Sequence, residues 1–336
     1  MTICVQVHDA FQFTECAMSD ELPAFQILSL DGGGIRGLFT AAVLAAAEED
    51  LKTRITDHFD LVAGTSAGGI IAVGLGLGLR ARDLVGFFVQ HTPTIFHSRF
   101  GLRALKHWIS AKYPADSLQS ALHATLGDRL FGASAKRLVI PAYNVGADDV
   151  YLFRTPHAER LKRDYRVPAW KVALATSAAP SYFPACRAVD RLRLIDGGVW
   201  ANNPAMVGLV EAVGTLGYPM HKIRMLSLGT YDPVVTRRSG LDGAGKLGWA
   251  RGATAVDLIM RAQSISANNH VRYFLGKERF VRIDPKVPGK QVVLDRHSDV
   301  DDLIARAAHH SRIHMPEIES MCDHVARPYT PLYTME

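Results

Sequence analysis

The chain has 336 residues, 48% of them hydrophobic and 21% charged. That is the balance of an ordinary globular protein, long enough to bury a sizeable core. Its formal charge of +5 is mild and scattered, without the dense Lys/Arg block a nucleic-acid polymer selects, so it favours at most phospholipid headgroups or nucleotides.

Residues 1–23 carry Asp9, Glu15, Asp20 and Glu21 and no basic n-region, which predicts a loosely docked lead-in rather than a signal peptide. Phe25 to Leu30 reads as a strand ended by Gly32-Gly33-Gly34, and Leu38 to Asp50 as an Ala/Leu-rich helix. Leu61 to Leu79 is uncharged and nearly long enough to span a bilayer. Its glycines, with Thr65 and Ser66, instead predict a buried strand (Phe59 to Ala63), a sharp turn and a buried helix (Ile70 to Leu79). Any membrane contact is then peripheral. A further helix is expected near Arg82 to His91. Strands follow at Arg137 to Tyr143 and Asp149 to Arg154, and a helix at Ala169 to Ser177, stopped by Pro180. Leu192 to Asp196 and Arg224 to Gly229 read as strands, Thr254 to Leu275 as a long helix, Arg279 to Asp284 as a strand and Val300 to Ile313 as a last helix. Thr236 to Gly252, rich in Gly, Arg and Lys, is the best candidate for a long loop.

This alternation predicts an α/β fold with a largely parallel central sheet flanked by helices. We expect a single catalytic domain over residues 24–336, with a core at 24–230 and a C-terminal extension at 231–336. Cys4, Cys16, Cys186 and Cys322 make no CxxC pair and no zinc spacing, so reduced thiols in a cytoplasmic protein are expected, with no metal site.

Two motifs carry chemistry. Gly32, Gly34 and Gly37 fit GxGxxG between a strand and a helix, the dinucleotide fingerprint. A dinucleotide site also wants a carboxylate at the end of the second strand. Here Asp60 precedes that strand, and Gly64-Thr65-Ser66-Ala67-Gly68-Gly69 follows it. The other reading is an oxyanion hole. The amides of Gly32, Gly33 and Gly34, at a helix start, would stabilise developing negative charge. Arg36 would support the loop, meet a phosphate or form a surface ion pair.

Gly64-Thr65-Ser66-Ala67-Gly68 matches GxSxG between an apolar strand and an apolar helix, the setting of a nucleophile elbow. Serine needs a base. Asp196-Gly197-Gly198 ends a short apolar strand, and burial beside Ser66 would raise the carboxyl pKa and make it a better proton acceptor. From spacing alone, Asp196 could equally be a turn aspartate ahead of Gly-Gly.

Asp-Gly-Gly-Gly-Ile-Arg-Gly, Gly-Thr-Ser-Ala-Gly and Asp-Gly-Gly, in that order, resemble the patatin-like phospholipase family over roughly residues 24 to 230. Ala175 to Pro180, Tyr182-Phe183-Pro184 and Trp200 to Pro204 add to the resemblance. It implies a patatin-like three-layer fold and a Ser66–Asp196 dyad without histidine. It also implies Gly32, Gly33 and Gly34 as the oxyanion hole, and cofactor-free hydrolysis of membrane phospholipid at the inner face of the membrane. The Gly-Leu-Gly-Leu-Gly-Leu-Arg run and Arg137 to Pro141 are similar to bacterial patatin-like effectors of anti-phage defence. That implies activation by a cyclic dinucleotide such as cGAMP, with no pocket assignable and oligomeric state open. The rivals are a triad using His221, His270, His297 or His309, an unregulated lipase, and a lipid- or nucleotide-binding pseudoenzyme. Thr92 to Tyr113 mixes Phe96, Phe100, Trp108 and Tyr113 with Arg99, Arg103, Lys106 and Lys112. It reads as a membrane-facing lid or as a helix packed on the core.

Overall fold

In the computed structural model, residues 22–97, 111–231, 254–286 and 299–335 are described. Most of the lead-in, Cys4, Cys16, His297, the Thr236 to Gly252 loop and the middle of the lid segment, with Phe100, Trp108, Arg99, Arg103 and Lys106, lie outside these residues.

The chain is an α/β protein with a seven-stranded sheet. The strands are β1 (Phe25–Leu30), β2 (Leu61–Gly64), β3 (Arg137–Asn144), β4 (Asp149–Arg154), β5 (Leu194–Asp196), β6 (Ile223–Leu228) and β7 (Phe280–Ile283). The order is β4-β3-β2-β1-β6-β7, with β5 also on β3. β1 pairs in parallel with β2 and β6, β2 with β3, and β6 with β7, while β4 and β5 run antiparallel to β3.

The period-2 pleat explains why β1 is buried along its whole length. Ile27, Leu61 and Val139 point into one apolar cluster, and Leu28, Val62 and Leu138 into the other. Helices cover both faces. On the larger cluster lie α1 (Gly37–Asp50), α2 (Ala67–Gly76), α3 (Ala81–Ile95), α4 (Ala115–Leu126), α5 (Ala169–Thr176) and α9 (Val300–Glu319); on the smaller lie α7 (Ala205–Val210) and α8 (Thr254–Leu275). The one-turn α6 (Gly198–Ala201) follows β5.

Register on β3 creates the site. β2 pairs with Arg137, Leu138 and Val139, while β5 runs the other way against Ala142, Tyr143 and Asn144. β4 occupies the opposite edge of β3 along Val139 to Asn144. β2 and β5 therefore share one edge and meet tip to tip across Ile140 and Pro141, which brings the residue after Gly64 and the last residue of β5 to the same place.

Some boundaries differ from the sequence reading. β2 begins at Leu61 because a 3-10 turn occupies Ile55–His58. α3 runs past His91 to Ile95 through Pro93, with Thr92 and Ile95 buried. α9 continues to Glu319 because Leu303, Ala307, Ser311 and Ile318 extend one buried stripe. α4 was not anticipated from the sequence.

Candidate active site

The elbow is built by close approach. A Cβ on Gly64 would lie 2.3 Å from the Gly68 carbonyl oxygen, and one on Gly68 would lie 2.3 Å from that of Leu30. Any side chain at either position would push β1, β2 and α2 apart. Between them Ser66 takes φ 54°, ψ −123°, a conformation non-glycine residues rarely hold and one that the surrounding packing must enforce. Its backbone N–H donates to Thr176 Oγ1 at 3.0 Å, and that hydroxyl donates to the Pro141 carbonyl at 2.6 Å. The neighbouring Thr65 hydroxyl donates to the Ala201 carbonyl at 2.6 Å.

Asp196 arrives from the other side. Its backbone N–H donates to the Ala178 carbonyl at 3.0 Å, and a Cβ on Gly197 would lie 2.3 Å from the Pro141 oxygen. Asp196 is 3% exposed; its carboxylate accepts a hydrogen bond from the Gly198 amide at 2.7 Å, and the Ser66 hydroxyl lies beside it in the same pocket. Burial pushes its pKa up to about 6, against the pull of the Ser66 hydroxyl and the Gly198 amide. The structure thus brings together the two residues that the sequence separates by 130 positions. A buried carboxylate with this pKa is mostly ionised at neutral pH and is a stronger base than an exposed one.

The glycine loop faces Ser66. Gly33 and Gly34 line the pocket, and no hydrogen bond among the described residues uses their amides. Gly32 behaves differently, because its N–H donates to the Asn202 carbonyl at 2.9 Å. A Cβ there would meet Asn202 Oδ1 at 2.6 Å. Its amide is engaged, and it serves the loop through close packing. Arg36 braces the loop from behind, with Nε donating to the Gly33 carbonyl at 3.4 Å. Ala67 begins α2 beside Ser66 and also lines the pocket. Its amide belongs to the first helical turn, where N–H groups lack intrahelical partners.

Beyond this polar end the pocket is walled by Ile70, Phe87, Phe88, Ile95, Phe96, Leu118, Phe183 and Met260, which suits a long apolar chain. Phe96, Tyr113 and Phe183 form a ring cluster with centroids 5.4–6.1 Å apart. The amides of Lys112 and Tyr113 donate to the carbonyls of Ser181 and Tyr182 at 2.9 and 2.8 Å. The described ends of this segment are therefore packed into the pocket wall, and Tyr113, for which a membrane-facing and a core-packed reading both stood, is buried.

Among the described residues no histidine lines the pocket; His221, His270 and His309 are exposed elsewhere. Asp60 lies at the opposite strand end. Its carboxylate accepts from the amides of Gln26 and Arg327 and lies 2.7 Å from His324 Nε2. It anchors the C-terminal tail, and no ribose contact is open to it. Among the described residues no group of three or more His, Cys, Asp or Glu side chains is placed to hold a metal. None of their helices is long and apolar enough to cross a membrane.

Thr176 and Arg282 were missed by sequence reasoning. Arg282 donates to both oxygens of Asp31, at 2.8 and 2.6 Å. Burial pulls the Arg282 pKa down, but Asp31 and Asp284 more than offset this and leave it above the ordinary range. Neither contact has a local signature. Only Ala-Thr-Ser and the acidic start of the glycine run hinted at them.

Comparison with known proteins agrees with this geometry. The family model described as Patatin-like phospholipase matches residues 28–209. Three similar relatives are each named cGAMP-activated phospholipase. The one from Pseudomonas aeruginosa is 38% identical over 80% of this chain and 81% of its own. The one from Escherichia coli is 31% identical over 92% and 95%, and the one from Vibrio cholerae 34% identical over 81% and 86%. The chain therefore belongs to the patatin-like phospholipase family, and its class is that of a lipid hydrolase.

Proposed function

We propose that the protein hydrolyses phospholipid esters at a membrane surface through an acyl-enzyme on Ser66, with Asp196 as the only side-chain base, and that a cyclic dinucleotide switches it on. The observation that carries the chemistry is the Ser66 hydroxyl on a positive-φ turn, beside a buried carboxylate at the polar end of an apolar pocket.

Asp196 takes the Ser66 proton as Oγ attacks the ester carbonyl. The Gly33 and Gly34 amides, with that of Ala67 at the start of α2, receive the oxyanion. Gly32 is left out because its amide is already bonded. The intermediate collapses, the C–O bond to the lysolipid breaks, and the protonated Asp196 returns its proton to the leaving alkoxide. A water then gives its proton to Asp196 and attacks the acyl carbon. The fatty acid leaves and Ser66 is reprotonated. The acyl chain lies along Phe87, Phe88, Ile95 and Leu118.

The switch is carried over from the relatives' printed names. A nucleotide with unequal affinity for a closed and an open state supplies it. The test is fatty-acid release from phospholipid vesicles with and without a panel of cyclic dinucleotides. Release from wild type that depends on one nucleotide and is absent in Ser66→Ala supports both halves. Equal release without nucleotide overturns the switch, and undiminished release by Ser66→Ala overturns the dyad.

A further inference from the structure

The matched stretch ends at residue 209, yet the glycine loop is held from beyond it. Asp31 immediately precedes Gly32 and is fixed along the backbone by its N–H donating to the Leu228 carbonyl at 3.0 Å. Its side chain, 5% exposed, is gripped by both terminal nitrogens of Arg282 on β7. That two-point bond sets the rotation of the carboxylate as well as its position. Arg282 also donates to Ser227 Oγ at 2.8 Å and to Asp284 Oδ2 at 3.1 Å, so it is itself locked. Asp284 packs directly on Gly229. The next residue, Thr230, donates to the Gly32 carbonyl at 3.3 Å and abuts Gly33. The loop is thus pinned at its start by Arg282 and along its back by the segment that Arg282 and Asp284 hold.

We infer that Arg282 is a positioning residue of the oxyanion loop, through which the C-terminal part of the chain sets the aim of the Gly33 and Gly34 amides. The inference rests on the hydrolytic reading above. Arg282 does not line the pocket. It acts by geometry, and by neutralising a carboxylate that would otherwise oppose negative charge forming a few residues away. Binding the ground-state ester makes little demand on this loop, and the transition state makes a large one, so the effect belongs in kcat.

The experiment uses the full-length chain with Arg282→Gln, Arg282→Lys and Ser66→Ala. Folded sites are counted by the final extent of fluorophosphonate labelling, and kcat and KM are measured on a soluble short-chain ester. Binding of a trifluoromethyl ketone, whose adduct places an oxyanion in the hole, is measured in parallel. Arg282→Gln is expected to lower kcat per labelled site about 10- to 100-fold, less than outright loss of a hole donor. KM should stay within about threefold, and ketone affinity should fall in step with kcat/KM. Arg282→Lys keeps the charge without the two-point grip and should recover part of the loss. It carries the test alone if the glutamine variant does not fold. Wild-type kcat per labelled site in the folded variants, with only the yield of folded protein changed, overturns the inference while leaving the dyad intact. Undiminished hydrolysis by Ser66→Ala overturns the dyad, and this inference with it.

Discussion

Asp196→Asn should abolish turnover and yet stabilise the protein at neutral pH. The wild-type carboxyl is buried without a cationic partner among the described residues, and burial lifts its pKa from 3.8 to about 6. A carboxyl with a raised folded-state pKa favours the fold most when protonated, below about pH 3.8. That contribution is lost as pH rises to and beyond about 6. At about 1.4 kcal/mol per unit, a shift of roughly two units makes the ionised form cost about 3 kcal/mol above pH 7. Asparagine is nearly the same shape. Its oxygen can still accept from the Gly198 amide and its nitrogen can donate to the Ser66 hydroxyl, so the cost of the charge is removed with little else. Urea unfolding of both proteins from pH 4 to 8 reads this directly. The asparagine variant should be more stable by up to about 3 kcal/mol at pH 8, with the gap closing toward pH 4. Equal stability at pH 8, or a gap that widens on acidification, would refute the claim that Asp196 is a charge held against its solvation preference.

Other consequences follow from the same geometry. For wild type, kcat/KM should rise about tenfold per pH unit below pH 6 and level off above it, since only ionised Asp196 accepts the serine proton; a profile flat from pH 4.5 to 7 would contradict the raised pKa. Gly68→Ala places a methyl 2.3 Å from the Leu30 oxygen, and denaturation should show a loss of about 1–3 kcal/mol or more together with a collapse of kcat. Glu211, buried with His157 at 2.9 Å and Arg154 at 3.4 Å, does not line the pocket. Glu211→Ala should therefore cost about 3–5 kcal/mol by leaving a buried network broken, with kcat per labelled site unchanged. A kcat loss there would mean that the two faces of the sheet are coupled.

What the sequence disclosed and what it hid have physical reasons. GxSxG and the glycine run were legible because backbone atoms approach within a Cβ's reach at Gly64 and Gly68, and the Thr230 side chain does so at Gly33, and only glycine tolerates that. The alternation of Ile27 with Leu28 and of Leu61 with Val62 announced a sheet covered on both faces. Asp196 was ambiguous by spacing, because its meaning comes from the antiparallel turn of β5 onto β3, which local pattern does not encode. The expectation that Gly32 donates to the oxyanion could not foresee a single long-range bond, from its amide to the Asn202 carbonyl. Arg282 lies 251 positions from Asp31, and a lone arginine on a four-residue strand looks like any other. α4 leaves a weak trace in the sequence although Leu118, Ala121 and Leu122 share a buried face, since so short an amphipathic run between polar turns has only a weak helical period.

The most direct measurement traps the reaction on the serine. Wild-type protein, acid-quenched during turnover of phospholipid in the presence of the proposed cyclic-dinucleotide activator, is digested and its peptides are weighed. The added mass of one acyl group should appear on the peptide bearing Ser66. It should be absent in Ser66→Ala and reduced at least 100-fold in Asp196→Asn. An acyl group on another residue, or equal acylation of Ser66 without the carboxylate, would contradict a hydrolase driven by this serine and this aspartate.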